Sequence, residues 1–303
     1  MTFQRVAIIG LGLLGGSIGL AVQECLPDVH TTGYDADPTT RARAAERGLV
    51  GTVCGDAAGA VHGADLVILC VPVGAMGSAG QAIAGHLAAG AVVSDVGSSK
   101  QSVADALGAV LPGVAVIPAH PVAGTERSGP DAGFGSLFRH RWCIITPPAD
   151  ADPAKVAALS DFWEALGAKV EVMDARHHDM VLAVTSHLPH LIAYTIVGTA
   201  SDLEGVTEGE VIKYSAGGFR DFTRIAASDP TMWRDVFLSN KDAVLDMLQR
   251  FTEDLTALQR AIRVGDGDQL FEHFARTRAI RRSIIEEGQD DARPDFGRSD
   301  HLG

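Results

Sequence analysis

The stretch Gly10-Leu11-Gly12-Leu13-Leu14-Gly15 lies between an apolar run, Arg5-Val6-Ala7-Ile8-Ile9, and an apolar helical pattern from Leu13 to Val22. Strand, glycine turn and helix follow in that order, and Asp35 closes a second run, Thr31-Thr32-Gly33-Tyr34, about 20 residues after the last glycine. A lone GxGxxG carries little weight; these flanks give it a mechanism. Gly10 permits a tight turn, Gly12 lets a pyrophosphate approach the backbone, and Gly15 lets helix and strand pack closely. The diphosphate then meets the unpaired N–H groups of the helix start, at Leu13 and Leu14. A dinucleotide site is expected, against the alternative of a glycine-rich turn without a ligand.

Asp35 also indicates which dinucleotide. Its carboxylate can accept both ribose hydroxyls of NAD, whereas a 2′-phosphate would face a like charge. At ~4 Å and an effective dielectric of ~20 that repulsion is roughly 4 kcal/mol per unit charge before salt screening. Ala36-Asp37-Pro38 offer no arginine to take up a phosphate. NAD is therefore favoured over NADP.

At 303 residues the chain is long enough for two domains and a sizeable core. With 38 acidic against 25 basic residues the net charge is −13, which opposes nonspecific binding to nucleic acid or an anionic membrane. Small-molecule chemistry is the expectation. The N-terminus enters a strand without a basic leader, and no stretch is read as reaching the length of a membrane span. Cys25, Cys54, Cys70 and Cys143 are scattered without CxxC spacing and read as reduced thiols of a cytoplasmic protein.

Downstream, Thr39 to Arg47 has helical composition and stops at Gly48. The run Asp65-Leu66-Val67-Ile68-Leu69-Cys70-Val71-Pro72 predicts a central parallel strand, which puts Val71, Pro72 and Val73 at its carboxyl end, where open α/β sheets hold ligands. Further strands are expected at Ala91–Asp95, Val114–Ile117, Arg141–Thr146 and Lys169–Met173 as a continuation of one sheet. This alternation predicts a doubly wound, Rossmann-like, mostly parallel α/β sheet over 1–173. From Asp174 the pattern is helical, giving an all-helical C-terminal domain over 174–288 and a frayed tail over 289–303. Val244, Leu245, Leu248, Phe251, Leu255 and Leu258 form an apolar stripe at helical spacing, read as core or subunit contact, so a homodimer is the default.

Two loops that follow strands carry the densest chemistry. They are Asp95-Val96-Gly97-Ser98-Ser99-Lys100 and Ala119-His120-Pro121-Val122-Ala123-Gly124-Thr125-Glu126-Arg127-Ser128-Gly129. His120 suits a general base for a hydroxyl whose carbon loses a hydride, or it is a histidine satisfied by local backbone. Ser98 either orients the substrate hydroxyl or His120, or caps the helix beginning near Lys100. Ser186-His187-Leu188-Pro189-His190 puts two histidines three apart, but no third ligand stands at metal-binding spacing, so no metal is expected. His177 and His178 are adjacent, point apart on a helix and are read as solvated. Arg224, after Gly217-Gly218, either clamps a substrate carboxylate or pairs with Asp221 or Asp229.

Taken together, the Gly10 loop, Asp95 to Lys100, His120 to Gly129, Ser186 to His190 and Gly218 through Trp233 resemble the prephenate and arogenate dehydrogenases of tyrosine biosynthesis. That resemblance implies an N-terminal NAD(P)-binding domain, a helical C-terminal dimerisation domain and an active site in the cleft between them. It implies His120 as the catalytic histidine, Ser98 as the serine assisting it, and His190 with His187 in the substrate cleft. Arg224 matches the arginine that binds a substrate carboxylate, and Thr125, Glu126, Asp221 and Trp233 fall where the family lines or gates its pocket. The choice of Ser98 rests on the family's Asp-x-x-Ser-x-Lys pattern, with Ser99 as the fallback. The implied reaction is NAD-dependent oxidative decarboxylation of prephenate to 4-hydroxyphenylpyruvate, of arogenate to tyrosine, or both. The alternatives are another two-domain dehydrogenase of the β-hydroxyacid or imine-reducing type, and an NAD-binding sensor without catalysis.

Overall fold

In a computed structural model of the chain, residues 3–125, 127–202 and 217–286 are described. Glu126 and the tail 289–303 lie outside the described residues. The chain divides into two compact units, Met1–Leu245 and Asp246–Gly303.

Within the first unit β1 (Arg5–Ile9), α1 (Leu13–Cys25), β2 (His30–Tyr34), α2 (Pro38–Glu46), β3 (Thr52–Val53), α3 (Ala57–Val61) and β4 (Leu66–Leu69) alternate, with β3 and α3 added to the elements that the sequence predicts. They are followed by α4 (Met76–Ile83), β5 (Val92–Asp95), α5 (Gln101–Val110) and β6 (Ala115–Val116). The six strands form one parallel sheet in the order β3-β2-β1-β4-β5-β6. Every residue of β4 and β5 is buried, because helices cover both faces of a parallel sheet. One apolar cluster packs Val6, Ile8, Leu66 and Ile68 against α1, and another packs Ala7, Ile9, Val67 and Leu69 against α4 and α5. The strand order reverses between β1 and β4, so the ligand crevice opens outside their carboxyl ends.

The single continuous sheet expected from the sequence is corrected to two. β7 (Ala119–Pro121), β8 (Trp142–Ile145) and β9 (Lys169–Val172) make a separate sheet in which β7 runs antiparallel to β8. Only Ile117 and Pro118 separate β6 from β7. A parallel neighbour needs a crossover of about a dozen residues, so β7 cannot extend the first sheet. Between β8 and β9 the helix α6 (Pro153–Ala165) provides such a crossover, and β9 is parallel.

The helical part begins with α7 (Ala175–Leu182), a π turn over Ala183–His187, and α8 (Leu188–Asp202). α9 (Gly217–Thr223), a 3-10 turn over Arg224–Ala227, α10 (Pro230–Ser239), α11 (Lys241–Val264) and α12 (Gly267–Glu286) follow. The run Ala175–Asp202 is one helical stretch of 28 residues that contains an 18-residue window of mean hydropathy 1.5, long and apolar enough by length and composition to cross a membrane. That corrects the reading that no stretch reaches such a length. The π turn over Ala183–His187 carries the helix through the Ser186–His190 motif.

Candidate active site

The glycine turn has the geometry of a phosphate cradle. Gly10 has φ +100°, and a Cβ there would strike the Cys70 carbonyl at the end of β4. A Cβ on Gly15 would strike the Gly10 carbonyl, whereas one on Gly12 would meet nothing within 4 Å. The open side of the turn is thus at Gly12, the N-cap of α1, and no side chain caps that helix. The N–H groups of Leu13 and Leu14 are left for an anion. Asp35 follows β2 and is held in place, its Oδ2 accepting Leu11 N at 2.8 Å and its Oδ1 accepting Asp37 N at 2.9 Å. Val71 and Val73 are half-buried and Pro72 exposed beyond β4, with Val73 packed beside Gly97. These residues fit a dinucleotide.

Sequence reasoning overlooked Arg41. Its guanidinium lies 5.4 Å from the centroid of the Tyr34 ring and donates from Nη1 to the carbonyls of Asp35 (2.7 Å) and Ala36 (3.1 Å). It lies three residues beyond Ala36-Asp37-Pro38, the segment that offers no arginine.

A buried ion pair latches the second sheet to the first. Asp95 ends β5, Lys100 precedes α5, and the two side chains are bonded with no exposed surface. Lys100 Nζ also donates to the Ala119 carbonyl at 2.7 Å, while Asp95 Oδ1 accepts Ala119 N at 3.3 Å. Burial pushes Asp95 up and Lys100 down, and their mutual attraction opposes both shifts. This latch sets β7, and therefore His120, beside the loop that carries Ser98.

His120 is buried, and its Nδ1 lies 2.9 Å from His178 Nε2. His178 is fully buried, a correction to its reading as solvated, and its Nδ1 lies 2.9 Å from Asp179 Oδ1. The signal was the phase of α7: His178, Leu182 and Ala183 share the inner face, four and five residues apart. Asp179 Oδ1 accepts Lys100 N at 2.7 Å and its Oδ2 accepts Gln101 N at 3.0 Å. Asp179, and not Ser98, is thus the cap of α5. Burial, reinforced by His178, Lys100 and His187, holds the His120 pKa well below that of an ordinary histidine.

His187 has no exposed surface, and burial pushes its pKa down to about 4. Asn240 Nδ2 donates to the Asp179 carbonyl at 2.8 Å and to His187 Nδ1 at 3.1 Å, so the proton of the neutral ring sits on Nε2. The Ser98 carbonyl is near enough to raise the His187 pKa, yet Nε2 makes no well-aligned hydrogen bond among the described residues. His190 stacks on Trp233 with ring centroids 3.7 Å apart and planes at 25°, and its Nδ1 donates to the Ser186 carbonyl at 2.8 Å. Its pKa is lowered by burial and by the nearby Arg224. Trp233 Nε1 is a second buried donor lacking a partner among the described residues.

Ser98, His120, His187, His190, Arg224 and Trp233 are therefore brought together. Ser99 is buried with its hydroxyl 2.7 Å from that of Ser239, while Ser98 is half-buried. Thr125 is exposed, its hydroxyl accepting Arg127 N at 3.2 Å, and Asp221 is exposed on α9 one turn before Arg224. Among the described residues no three His, Cys, Asp or Glu side chains converge on a metal site.

A dinucleotide turn at the edge of a parallel sheet, with a buried neutral imidazole nearby, defines a nucleotide-dependent dehydrogenase. Residues 18–172 match the family model for the prephenate dehydrogenase nucleotide-binding domain, and residues 174–276 that for the prephenate dehydrogenase dimerization domain. The chain is 45% identical over 282 residues to a cyclohexadienyl dehydrogenase of Zymomonas mobilis, covering 93% of this chain and 96% of that protein. A crystal structure of Aquifex aeolicus prephenate dehydrogenase with hydroxyphenyl propionate and NAD+ is 32% identical, with TM-score 0.88 over 94% of this chain and 99% of that one. Synechocystis arogenate dehydrogenase is 26% identical with TM-score 0.79, over 92% and 99% of the two chains. This chain belongs to the prephenate dehydrogenase family.

Proposed function

We propose that the protein performs the NAD-dependent oxidative decarboxylation of prephenate, arogenate or both, in tyrosine biosynthesis. NAD+, held by Gly10, Gly12, Leu13, Leu14, Gly15, Asp35 and the Val71–Val73 edge, supplies hydride acceptance. His120 takes the proton of the ring hydroxyl. The carbinol carbon would give up its hydride as that proton leaves. Loss of the ring carboxylate as CO₂ would then send the electron pair of the broken C–C bond into the ring, and the oxygen would regain a proton as the phenol. One observation carries this reading: His120 has one ring nitrogen committed to His178, which leaves Nε2 as the only atom able to act as base.

Around that base, Ser98 directs the hydroxyl and His190 holds the substrate. Arg224, beside His190, pairs with a carboxylate, and the buried N–H groups of His187 and Trp233 are donors for substrate oxygens. Thr125 and Asp221 line the approach. Residues 1–173 act as the nucleotide-binding domain and 174–288 as the helical domain. The protein works as a cytoplasmic homodimer through the helical part, where Leu255, Ile262, Phe271, Phe274 and Ile280 are all more than half exposed. Incubation with NAD+ and each substrate tests the reading: NADH absorbance is expected to rise with release of CO₂. No NADH from either cyclohexadienyl acid would overturn it and favour the sensor.

A further inference from the structure

The structure assigns His178 and Asp179 a positioning role for the proposed reaction: together they fix the tautomer of His120, so that its proton sits on Nδ1 and its Nε2 lone pair faces the substrate. This deepens the reading above and rests on His120 being the base.

The argument runs inward from Asp179. Both of its oxygens already accept backbone N–H groups, those of Lys100 and Gln101, so toward His178 it is an acceptor. The His178 proton therefore lies on Nδ1, pointing at Asp179 Oδ1 2.9 Å away. A neutral His178 then has a bare Nε2, and the 2.9 Å approach of His120 Nδ1 is a hydrogen bond only if His120 supplies the proton. His120 Nε2 is left without one. The whole chain is buried, with no exposed side-chain surface on His178 and 8% on Asp179, so water does not supply competing partners.

In the reaction the hydroxyl proton would pass to His120 Nε2, forming an imidazolium that keeps its Nδ1–H on His178 Nε2. The positive charge is then stabilised through His178 by the Asp179 carboxylate, at no cost in reorganisation. A two-residue relay of this kind also explains why a histidine next to an exposed His177 is buried at the start of a helix. The groups facing the pair from other elements are Asp95 and Lys100 from the latch, His187 from the π turn and Cys143 from β8.

The test uses the full-length enzyme labelled with 15N in its histidines. His120, identified by the signal lost in His120→Asn, is expected to show a protonated Nδ1 and a bare Nε2 at neutral pH. In His178→Leu that preference is expected to vanish, and kcat to fall about 10²-fold, within the range a positioned base contributes, with KM inside about threefold. His178→Gln, whose amide oxygen can accept the Nδ1 proton, should restore most of the rate. A wild-type His120 protonated on Nε2, or a folded His178→Leu enzyme with undiminished kcat, overturns the relay. Should His178→Leu not fold, the wild-type spectrum and His178→Gln still decide. Full turnover by His120→Asn would instead remove the base and leave the tautomer result standing, so the two failures read differently.

Discussion

The glycine turn and the imidazole cluster stand in the same compact unit and are built on opposite principles. The turn works through backbone: positive φ at Gly10, open space at Gly12, and N–H groups of a helix start that no side chain covers. The side chain beside it, Asp35, is held by two hydrogen bonds from backbone N–H groups. The cluster works through side chains. His120, His178, His187 and His190 come from a strand, a helix, a π turn and a second helix, and burial lowers the pKa of every one. A buried imidazole site stays neutral near pH 7, which a base needs and a phosphate site does not.

If the two regions are separable, substitutions should divide by region. The largest effect is expected at His120→Asn, with kcat reduced by at least about 10²-fold and the dissociation constant of NAD unchanged. A parallel loss of NAD affinity would show that the regions are coupled. Arg224→Ala is expected to raise the substrate KM by about 10- to 100-fold, from loss of a charge-assisted bond of roughly 1.5–3 kcal/mol, with the KM for NAD unmoved. An unchanged substrate KM would refute the clamp. Asp35→Ala acts on the other region: about tenfold weaker NAD binding, better use of NADP, and an unaltered substrate KM. The Arg41 guanidinium, bonded to the carbonyls of Asp35 and Ala36, is then the nearest cation for a 2′-phosphate. The double variant with Arg41→Ala should lose the gain in NADP use.

Acid should act on the cluster alone, and more gently. Each of these histidines has a folded pKa below its ordinary value, so the unfolded chain binds more protons in the interval between the two. For His187 that interval runs from about 6.5 down to about 4. The stability it contributes is complete above 6.5 and is lost as pH falls toward 4, at no more than about 1.4 kcal/mol per pH unit for each histidine. Thermal melts from pH 7 to pH 5 should therefore show a falling Tm. A Tm constant over that range would mean the cluster is solvated.

Legibility followed the same division. Gly10, Gly12, Gly15 and Asp35 fall within one strand–helix–strand unit, and their spacing fixes their geometry because the turn is local. The Ser98 loop and His120 were recognisable as motifs. Their neighbours were not: His177 and His178 are alike as letters, and only the packing of α7 against α5 and β7 buries the second and leaves the first outside. Ser98 is preferred to Ser99 on the family's pattern alone, and only the fold shows that the hydroxyl of Ser99 meets that of Ser239, 140 residues further on.

The sequence alone determined the parallel sheet and the glycine turn, since glycines and apolar runs act on residues close in the chain. The tertiary structure decided that a short second sheet carries His120, that Asp179 caps a helix in another part of the chain, and that His178 stands behind His120. Those facts depend on contacts across 24 to 79 residues of sequence. Burial and hydrogen-bond pairing at that range are properties of the packed fold, and no local spacing encodes them.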